Sequence, residues 1–76
     1  MEIPIRGKDQ LGLALRRLRK LANLTQTELS EDSRVDQAMI SKIESGNRLP
    51  ELATLFHLCS VLGVEIVLRK REPKSK

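Results

Sequence analysis

The side chains with the most informative chemistry in this chain of 76 residues lie in one short stretch, residues 35–46 (VDQAMISKIESG). Ile40 and Ile43 are three residues apart, so a helix here turns both toward a core. The other face carries short or uncharged groups and one cation: Gln37, Ala38, Ser41, Lys42 and Ser45. A solvated helix face usually holds several paired Glu and Lys residues, and this face does not. From the residues alone, a merely solvated face and a binding face remain equally open interpretations.

As a binding face, this stretch suits the major groove of DNA. A slim helix with hydrogen-bonding groups and little negative charge fits between the phosphate backbones. Gln37 is predicted to bond adenine bidentately, Ala38 to contact a thymine methyl group, and Ser41 to bond a base edge one turn later. Lys42 can reach guanine or phosphate. Asp36 is predicted to cap the helix and, beside the bases, to accept a hydrogen bond from a cytosine amine.

Phosphate contacts are predicted on both sides of this stretch. Thr25 and Glu28 in "TQTE" form a capping box that opens a short helix ending near Asp32. Free amides beside Thr25, Gln26 and Thr27 then suit a phosphate group. Asn47 and Arg48, in the loop after Gly46, are predicted to contact the backbone again. Two short helices joined by a tight turn describe a helix-turn-helix.

Two further helices are predicted to position this unit. The first is expected from Asp9, as its cap, to Ala22, with a stripe formed by Leu11, Leu15, Leu18 and Leu21. The last is expected to hold Pro50 in its first turn and to end at Gly63. Its predicted buried stripe consists of Leu55, Leu58, Cys59 and Leu62.

After Gly63 the hydrophobic period changes to that of a strand. Val64, Ile66 and Leu68 alternate with Glu65, Val67 and Arg69. The chain offers this strand only the short segment 2–6 as a partner, so pairing with the same strand of a second copy is the simplest solution. The predicted homodimer interface comprises Leu52, Phe56, Val64, Ile66 and Leu68.

Composition limits the alternatives. One cysteine, Cys59, excludes an internal disulfide, and the single His57 leaves too few ligands for a metal site. No apolar run reaches the ~20 residues of a membrane span, and the first residues do not resemble a signal peptide. We therefore expect a cytoplasmic protein without cofactor. No paired acids, glycine-rich phosphate loop or His/Cys constellation supports an enzyme.

The net charge of +4 belongs to the end of the chain. Residues 69–76 hold five of the 14 basic and one of the ten acidic side chains, so residues 1–68 are neutral overall. We expect a DNA-binding domain with its dimerisation strand over residues 1–68, and a flexible basic tail over residues 69–76. The high pI is thus weak support for nucleic-acid binding by the folded part.

Residues 25–64 resemble the Cro-type (XRE) helix-turn-helix family. The shared landmarks are the Thr-Gln opening, the Gln-Ala-x-Ile-Ser block, the Glu before Ser-Gly, and Pro-x-Leu-x-Thr-Leu. The resemblance implies an all-α, lambda-repressor-like bundle of four to five helices that binds operator DNA. It also implies a structural ion pair between Arg19 and Glu44. Where the family usually has a left-handed glycine in its turn, this chain has Arg34.

The predicted C-terminal strand makes the chain most similar to HipB-type antitoxins within that family. That resemblance implies an autoregulating repressor whose homodimer binds an inverted-repeat operator and also a HipA-like serine/threonine kinase toxin. Two alternatives stay open: toxin binding as the main task, and a stand-alone XRE-family or phage-type repressor with no toxin partner.

Overall fold

The structure, a computed structural model, describes residues 1–72 of the chain. Four helices follow one another: α1 is Lys8–Leu21, α2 is Gln26–Ser33, α3 is Gln37–Glu44 and α4 is Leu52–Leu62. The prediction of an all-helical bundle is confirmed for this part of the chain, with four helices. None of them is both long enough and apolar enough to cross a membrane.

The core forms where the apolar stripes of the four helices meet. Helix α1 packs on α3, and α2 packs on both α3 and α4. The buried cluster comprises Leu11, Leu15, Leu29, Val35, Ile40, Ile43 and Leu58. Leu55 and Leu62, predicted in the α4 stripe, are half-buried against its edge. An aliphatic core thus holds the bundle together, as the scarcity of aromatic residues requires.

One member of the predicted α1 stripe is wrong. Leu21 is 61% exposed, whereas Leu11 and Leu15 are buried. Over ten residues an α-helix turns through about 1000°, which is roughly 80° short of three full turns. Leu21 therefore lies roughly 80° away from Leu11 around the axis. The stripe therefore leaves the core before α1 ends.

The helix ends combine confirmed and corrected predictions. The Thr25 capping box is confirmed: Oγ1 of Thr25 accepts from the Glu28 amide at 3.0 Å, and Oε1 of Glu28 accepts from the Thr25 amide at 2.9 Å. Gly46 and Gly63 follow α3 and α4 with φ of 81° and 72°, the left-handed conformation that ends a helix.

The predicted cap of α1 and the predicted position of Pro50 in the first turn of α4 are wrong. Gly7, in extended conformation, is the N-cap of α1, so Asp9 lies inside the first turn rather than before it. Glu51 is the N-cap of α4, and Pro50 precedes it instead of starting the helix, because the backbone at Glu51 is still extended. Asp36 does occupy the N-cap position of α3, but its side chain makes no cap hydrogen bond.

The two ends of the chain form no regular secondary structure within the described residues. Residues 64–72 and 1–6 are neither helix nor strand, although Nη1 of Arg69 lies 2.6 Å from Oε1 of Glu2. A strand needs a neighbour for its hydrogen bonds, so the C-terminal strand expected between two copies stays a prediction. Of the predicted basic tail, residues 73–76 lie outside the described residues.

Arg34 occupies the left-handed conformation that the resemblance implied for the turn, with φ 62° and ψ 24°. A side chain with a Cβ costs roughly 1–2 kcal/mol there, whereas glycine adopts this conformation freely. We expect Arg34→Gly to raise the melting temperature by about 4–8 °C for each ~1 kcal/mol of strain released. Thermal unfolding followed by circular dichroism measures the shift.

The matched control is Arg34→Ala, which removes the guanidinium group and keeps the Cβ. This variant should melt at or below the temperature of the parent chain. A glycine variant that melts no higher than the parent would show that the turn holds no strain.

Candidate nucleic-acid interface

Three hydrogen bonds and one buried side chain set the angle between α2 and α3. Oγ of Ser30 donates to the carbonyl of Val35 at 2.6 Å, and the amide of Val35 donates to Oγ of Ser33 at 3.2 Å. The amide of Arg34 donates to the Ser30 carbonyl at 2.8 Å. Val35 itself is buried in the core. Because the turn is bonded within itself and anchored in the core, the two helices are held as one rigid unit.

Helix α3 is clamped against the rest of the bundle along its inner face. Ile40 and Ile43 are among the most deeply buried side chains of the described residues. At Gly12 of α1, an added Cβ would lie 2.3 Å from the carbonyl oxygen of Ile43 and 2.9 Å from that of Glu44. Two backbones can approach this closely only where one residue lacks a Cβ. Gly12 therefore sets how closely the C-terminal end of α3 approaches α1.

The outer face of α3 is open to solvent. All five side chains predicted to contact bases are exposed: Asp36, Gln37, Ala38, Ser41 and Lys42. Met39 is half-buried at the edge of the core. The side chains of residues 37, 38, 41 and 42 thus form a continuous surface that is polar except for the Ala38 methyl group, and we call it the α3 outer face.

A buried ion pair lies behind the C-terminal end of α3. Arg19 and Glu44 are 8% and 7% exposed, with Nε to Oε2 at 2.7 Å and Nη2 to Oε1 at 3.0 Å. Nη1 of Arg19 also donates to the carbonyl of Leu24 at 2.8 Å. The hydrogen bond to Glu44, together with that carboxylate's charge and against the effect of burial, raises the pKa of Arg19 above its ordinary value. The pairing implied by the family resemblance is therefore present in the structure.

Gln26 connects this ion pair to the α3 outer face. Its Nε2 donates to Oε1 of Glu44 at 3.1 Å, and its Oε1 accepts from Nε2 of Gln37 at 3.2 Å. The side chain of Gln26 is half-buried rather than extended toward solvent. Sequence reasoning placed Gln26 only among phosphate-binding groups and missed this connection. The sequence carries no signal for this connection, because Gln26 and Gln37 are eleven residues apart on different helices.

The predicted phosphate contacts come from the start of α2 and from the loop after α3. The exposed Thr25 and Thr27 flank Gln26 at the start of α2, and Gln26 bonds both Gln37 and Glu44, the first and last residues of α3. The backbone amides of Asn47 and Arg48 both donate to the carbonyl of Lys42, at 2.9 and 3.2 Å, which folds this loop against the end of α3. The side chains of both loop residues are exposed. The interface predicted from the sequence thus spans the length of α3, about 12 Å.

The side chains predicted at the homodimer interface are largely uncovered in the single chain. Leu52, Phe56 and Ile66 are exposed, Leu68 is 98% exposed, and Val64 is half-buried.

Among the described residues, no three His, Cys, Asp or Glu side chains are grouped to hold a metal ion. Cys59 is buried, which raises the pKa of its thiol and keeps it protonated.

Comparison with known proteins gives a consistent result. The family model for HTH_3 helix-turn-helix proteins matches residues 15–68. An uncharacterised HTH-type transcriptional regulator of Sinorhizobium fredii, y4dJ, is 39% identical over 57 residues, which are 75% of this chain and 74% of the relative.

Two solved structures share the arrangement of the helices. The restriction-modification controller protein C.AhdI of Aeromonas hydrophila superposes with a TM-score of 0.74 and is 29% identical, covering 76% of this chain and 88% of the controller. A HipB variant in an O2 20mer complex superposes with a TM-score of 0.82 and is 26% identical, covering 95% of this chain and 100% of HipB.

Proposed function

This chain belongs to the HTH_3 helix-turn-helix family and is a DNA-binding transcriptional regulator of the XRE type, and we propose that it is a repressor that reads its operator with the α3 outer face. The observation that carries the proposal is the two-sided character of α3. Its apolar side is buried against α1 and the core, while its polar side is exposed and nearly neutral. A reading helix needs both properties, because base contacts require a rigidly presented face without phosphate repulsion.

The proposed base contacts follow the order of residues along α3. Gln37, at its first turn, bonds adenine, and Ser41 bonds a base edge one turn later. Ala38 contacts a thymine methyl group, and Lys42 bonds guanine or phosphate. Because Asp36 makes no cap hydrogen bond, its carboxylate is able to accept from a cytosine amine. Gln26 holds Gln37 in place from the side.

The proposed phosphate contacts fix the register of the protein on DNA. At the start of α2, the capping box already uses the amides of Thr25 and Glu28. The amides of Gln26 and Thr27, together with the exposed hydroxyls of Thr25 and Thr27, are left to bind one phosphate group. At the other end of α3, Asn47 and Arg48 bind a second group.

Exposed apolar side chains support the proposed homodimer. Leu52 and Phe56 of α4 and Ile66 and Leu68 of the C-terminal segment are uncovered in one chain, and a chain this small is marginally stable alone. Pairing of residues 64–68 across two copies covers them and places two α3 helices about 34 Å apart on an inverted repeat.

Sedimentation equilibrium tests the proposed homodimer. A monomer at micromolar concentration contradicts it, and Phe56→Glu should weaken the association of the two copies.

Gln37→Ala provides the sharpest test of base reading. Removing one bidentate contact should cost about 1–3 kcal/mol of discrimination at a single base pair and leave the other positions unchanged. The measurement is footprinting and competition binding on the DNA upstream of the gene, with each operator base pair substituted in turn. If the variant shows the same preference at every position as the parent chain, Gln37 does not read a base.

Arg48→Ala separates phosphate contact from base reading. It should weaken binding to operator and random duplexes by the same factor, and reduce the salt dependence by roughly one phosphate contact. The matched control is Arg17→Ala, which removes the same charge from the face of α1 opposite the core. Equal losses for the two variants would indicate only an effect of net charge.

We further propose that this repressor is the antitoxin of a HipBA-like module and binds a HipA-like kinase toxin. The support is the likeness to HipB, which extends over nearly the whole of both chains. Co-expression with a kinase-like protein encoded beside it, followed by purification of the untagged pair, tests the proposal. Separation of the two proteins during purification contradicts it.

The alternative is a stand-alone repressor without a toxin partner. The likeness to C.AhdI favours this reading, since that relative is a controller protein of a restriction-modification system. The same purification distinguishes the two roles, because only an antitoxin forms a stable complex with a kinase. Both alternatives use the α3 outer face in the same way.

A further inference from the structure

The side of α1 that faces away from the core carries an unusual mixture of side chains. Five exposed side chains lie along it: Leu13, Arg16, Arg17, Lys20 and Leu21. We call this surface the α1 outer face. Leu13 and Leu21 are 64% and 61% exposed, although both are large apolar residues. Two large apolar side chains exposed on one helix face make this surface a candidate for contact with a partner.

Helical geometry places all five side chains together. With about 100° between successive residues, they fall within an arc of roughly 140° centred near Leu13. Leu11 and Leu15, which belong to the core, lie on the opposite side of the helix, each about 160° from Leu13 around the axis. Gly12 and Arg19, which contact the C-terminal end of α3, lie outside the arc. The α1 outer face is therefore separate from the side of α1 that supports the reading helix.

The positive charge of this face is unbalanced. No acidic residue stands four positions before or after Arg16, Arg17 or Lys20, and none of the three forms an ion pair within residues 1–72. Arg16 and Lys20 are themselves four apart, a spacing at which like charges destabilise a helix. The negative C-terminal end of the α1 dipole stabilises Lys20 in the last turn. It does not stabilise the two cations that lie earlier in the helix.

We propose that the α1 outer face docks an acidic amphipathic helix of a partner protein. Leucines two turns apart, about 12 Å, match the apolar stripe of a facing helix, and acidic side chains on both sides of that stripe neutralise the three cations. Cations and leucines share one face here. In helices that lie on membranes they occupy different faces, so a lipid surface is a poorer match.

The chemistry of the other available surfaces supports the same choice. DNA phosphates neutralise the cations but offer no apolar group to Leu13 at the centre of the face. In a second copy of this chain, the acidic residues of α2 have only the buried Leu29 as a large apolar neighbour within the helix. The exposed apolar residues 66–68 are followed by three cations, which repel the α1 outer face.

The test uses the full chain and a synthetic probe. The probe is a fluorescein-labelled 20-residue helical peptide with leucines on one face and glutamates beside them; its affinity is measured by fluorescence anisotropy. Two control peptides have the same composition in scrambled order, or lysine in place of glutamate. We expect the acidic probe alone to bind, and the paired substitution Leu13→Ser with Leu21→Ser to weaken it at least tenfold. Arg17→Gln should weaken it severalfold and reduce its salt dependence.

Because these side chains are exposed, the variants should retain the parent's circular dichroism spectrum and its operator affinity within twofold. Arg48→Ala is the complementary control, with weaker DNA binding and unchanged peptide binding. Equal binding of acidic and scrambled peptides, or no binding, overturns the proposal. A parallel loss of operator affinity assigns the face to DNA, and preferential binding to anionic phosphatidylserine vesicles assigns it to lipid; either result overturns it as well. These readouts separate its failure from failure of the repressor assignment.

Discussion

Gly12→Ala is expected to destabilise the chain by about 3 kcal/mol, the upper part of the range for overpacked cores. The new methyl group would lie 2.3 Å from the Ile43 carbonyl oxygen and 2.9 Å from that of Glu44. Both atoms belong to backbone, so a side-chain rotation cannot relieve the contact. Alanine improves helix propensity by up to ~1 kcal/mol relative to glycine, which offsets only part of the cost.

Urea unfolding of the variant measures the loss, and operator binding measures its consequence. Separating α1 from α3 tilts the α3 outer face, so we expect affinity for the operator to fall more than affinity for random duplex DNA. The control is Gly7→Ser, where nothing lies within 4 Å of an added Cβ and serine is a favoured N-cap. A Gly12→Ala variant as stable as the Gly7→Ser control would show that α1 and α3 do not approach as closely as the structure indicates.

Local signals in the sequence predicted the elements that depend on local chemistry. The Thr25 capping box is confirmed because its two hydrogen bonds join residues three apart, which any helix starting there brings together. The glycine ends of α3 and α4 are confirmed for the same reason, since the left-handed conformation is a property of one residue. The alternation of buried and exposed positions in α3 followed from its period.

Features that depend on how elements meet were missed or wrong. Asp9 is a residue type that often caps helices, but α1 already begins directly after the extended Gly7. Leu21 is a residue type typical of cores, but the rotation of the helix has carried its side chain away from the core by the end of α1. Nothing in the local sequence marks Gly12 as a contact point with α3, because the close approach is made between helices.

The candidate site also contains both kinds of feature: some follow from the local sequence, and others depend on contacts between helices. The exposed positions of α3 could be predicted from spacing, whereas the orientation of Gln37 depends on Gln26, eleven residues earlier on another helix. The pairing of Arg19 with Glu44 was available only through the family resemblance, since no period links residues 25 apart. The C-terminal strand needs hydrogen bonds from a second copy, so it stays a proposal.

The buried ion pair gives the second large effect, through Glu44→Gln. The substitution keeps the shape of the side chain but leaves the Arg19 guanidinium without a counter-charge, facing an amide nitrogen where a carboxylate oxygen lay at 2.7 Å. Breaking a buried pair by removing one partner costs about 3–5 kcal/mol, a large part of the roughly 5–15 kcal/mol that stabilises a typical domain. Urea unfolding measures this loss directly.

The double substitution Arg19→Leu with Glu44→Leu distinguishes a stability role from a positioning role. Two apolar side chains avoid the stranded charge, so the double variant should recover much of the stability lost by Glu44→Gln. Gln26 then has no Glu44 carboxylate to donate to, and Gln37 loses its support. We therefore expect a stable double variant with reduced discrimination at the base pair read by Gln37. If stability and base discrimination both return to parental values, the ion pair contributes nothing to the reading of DNA.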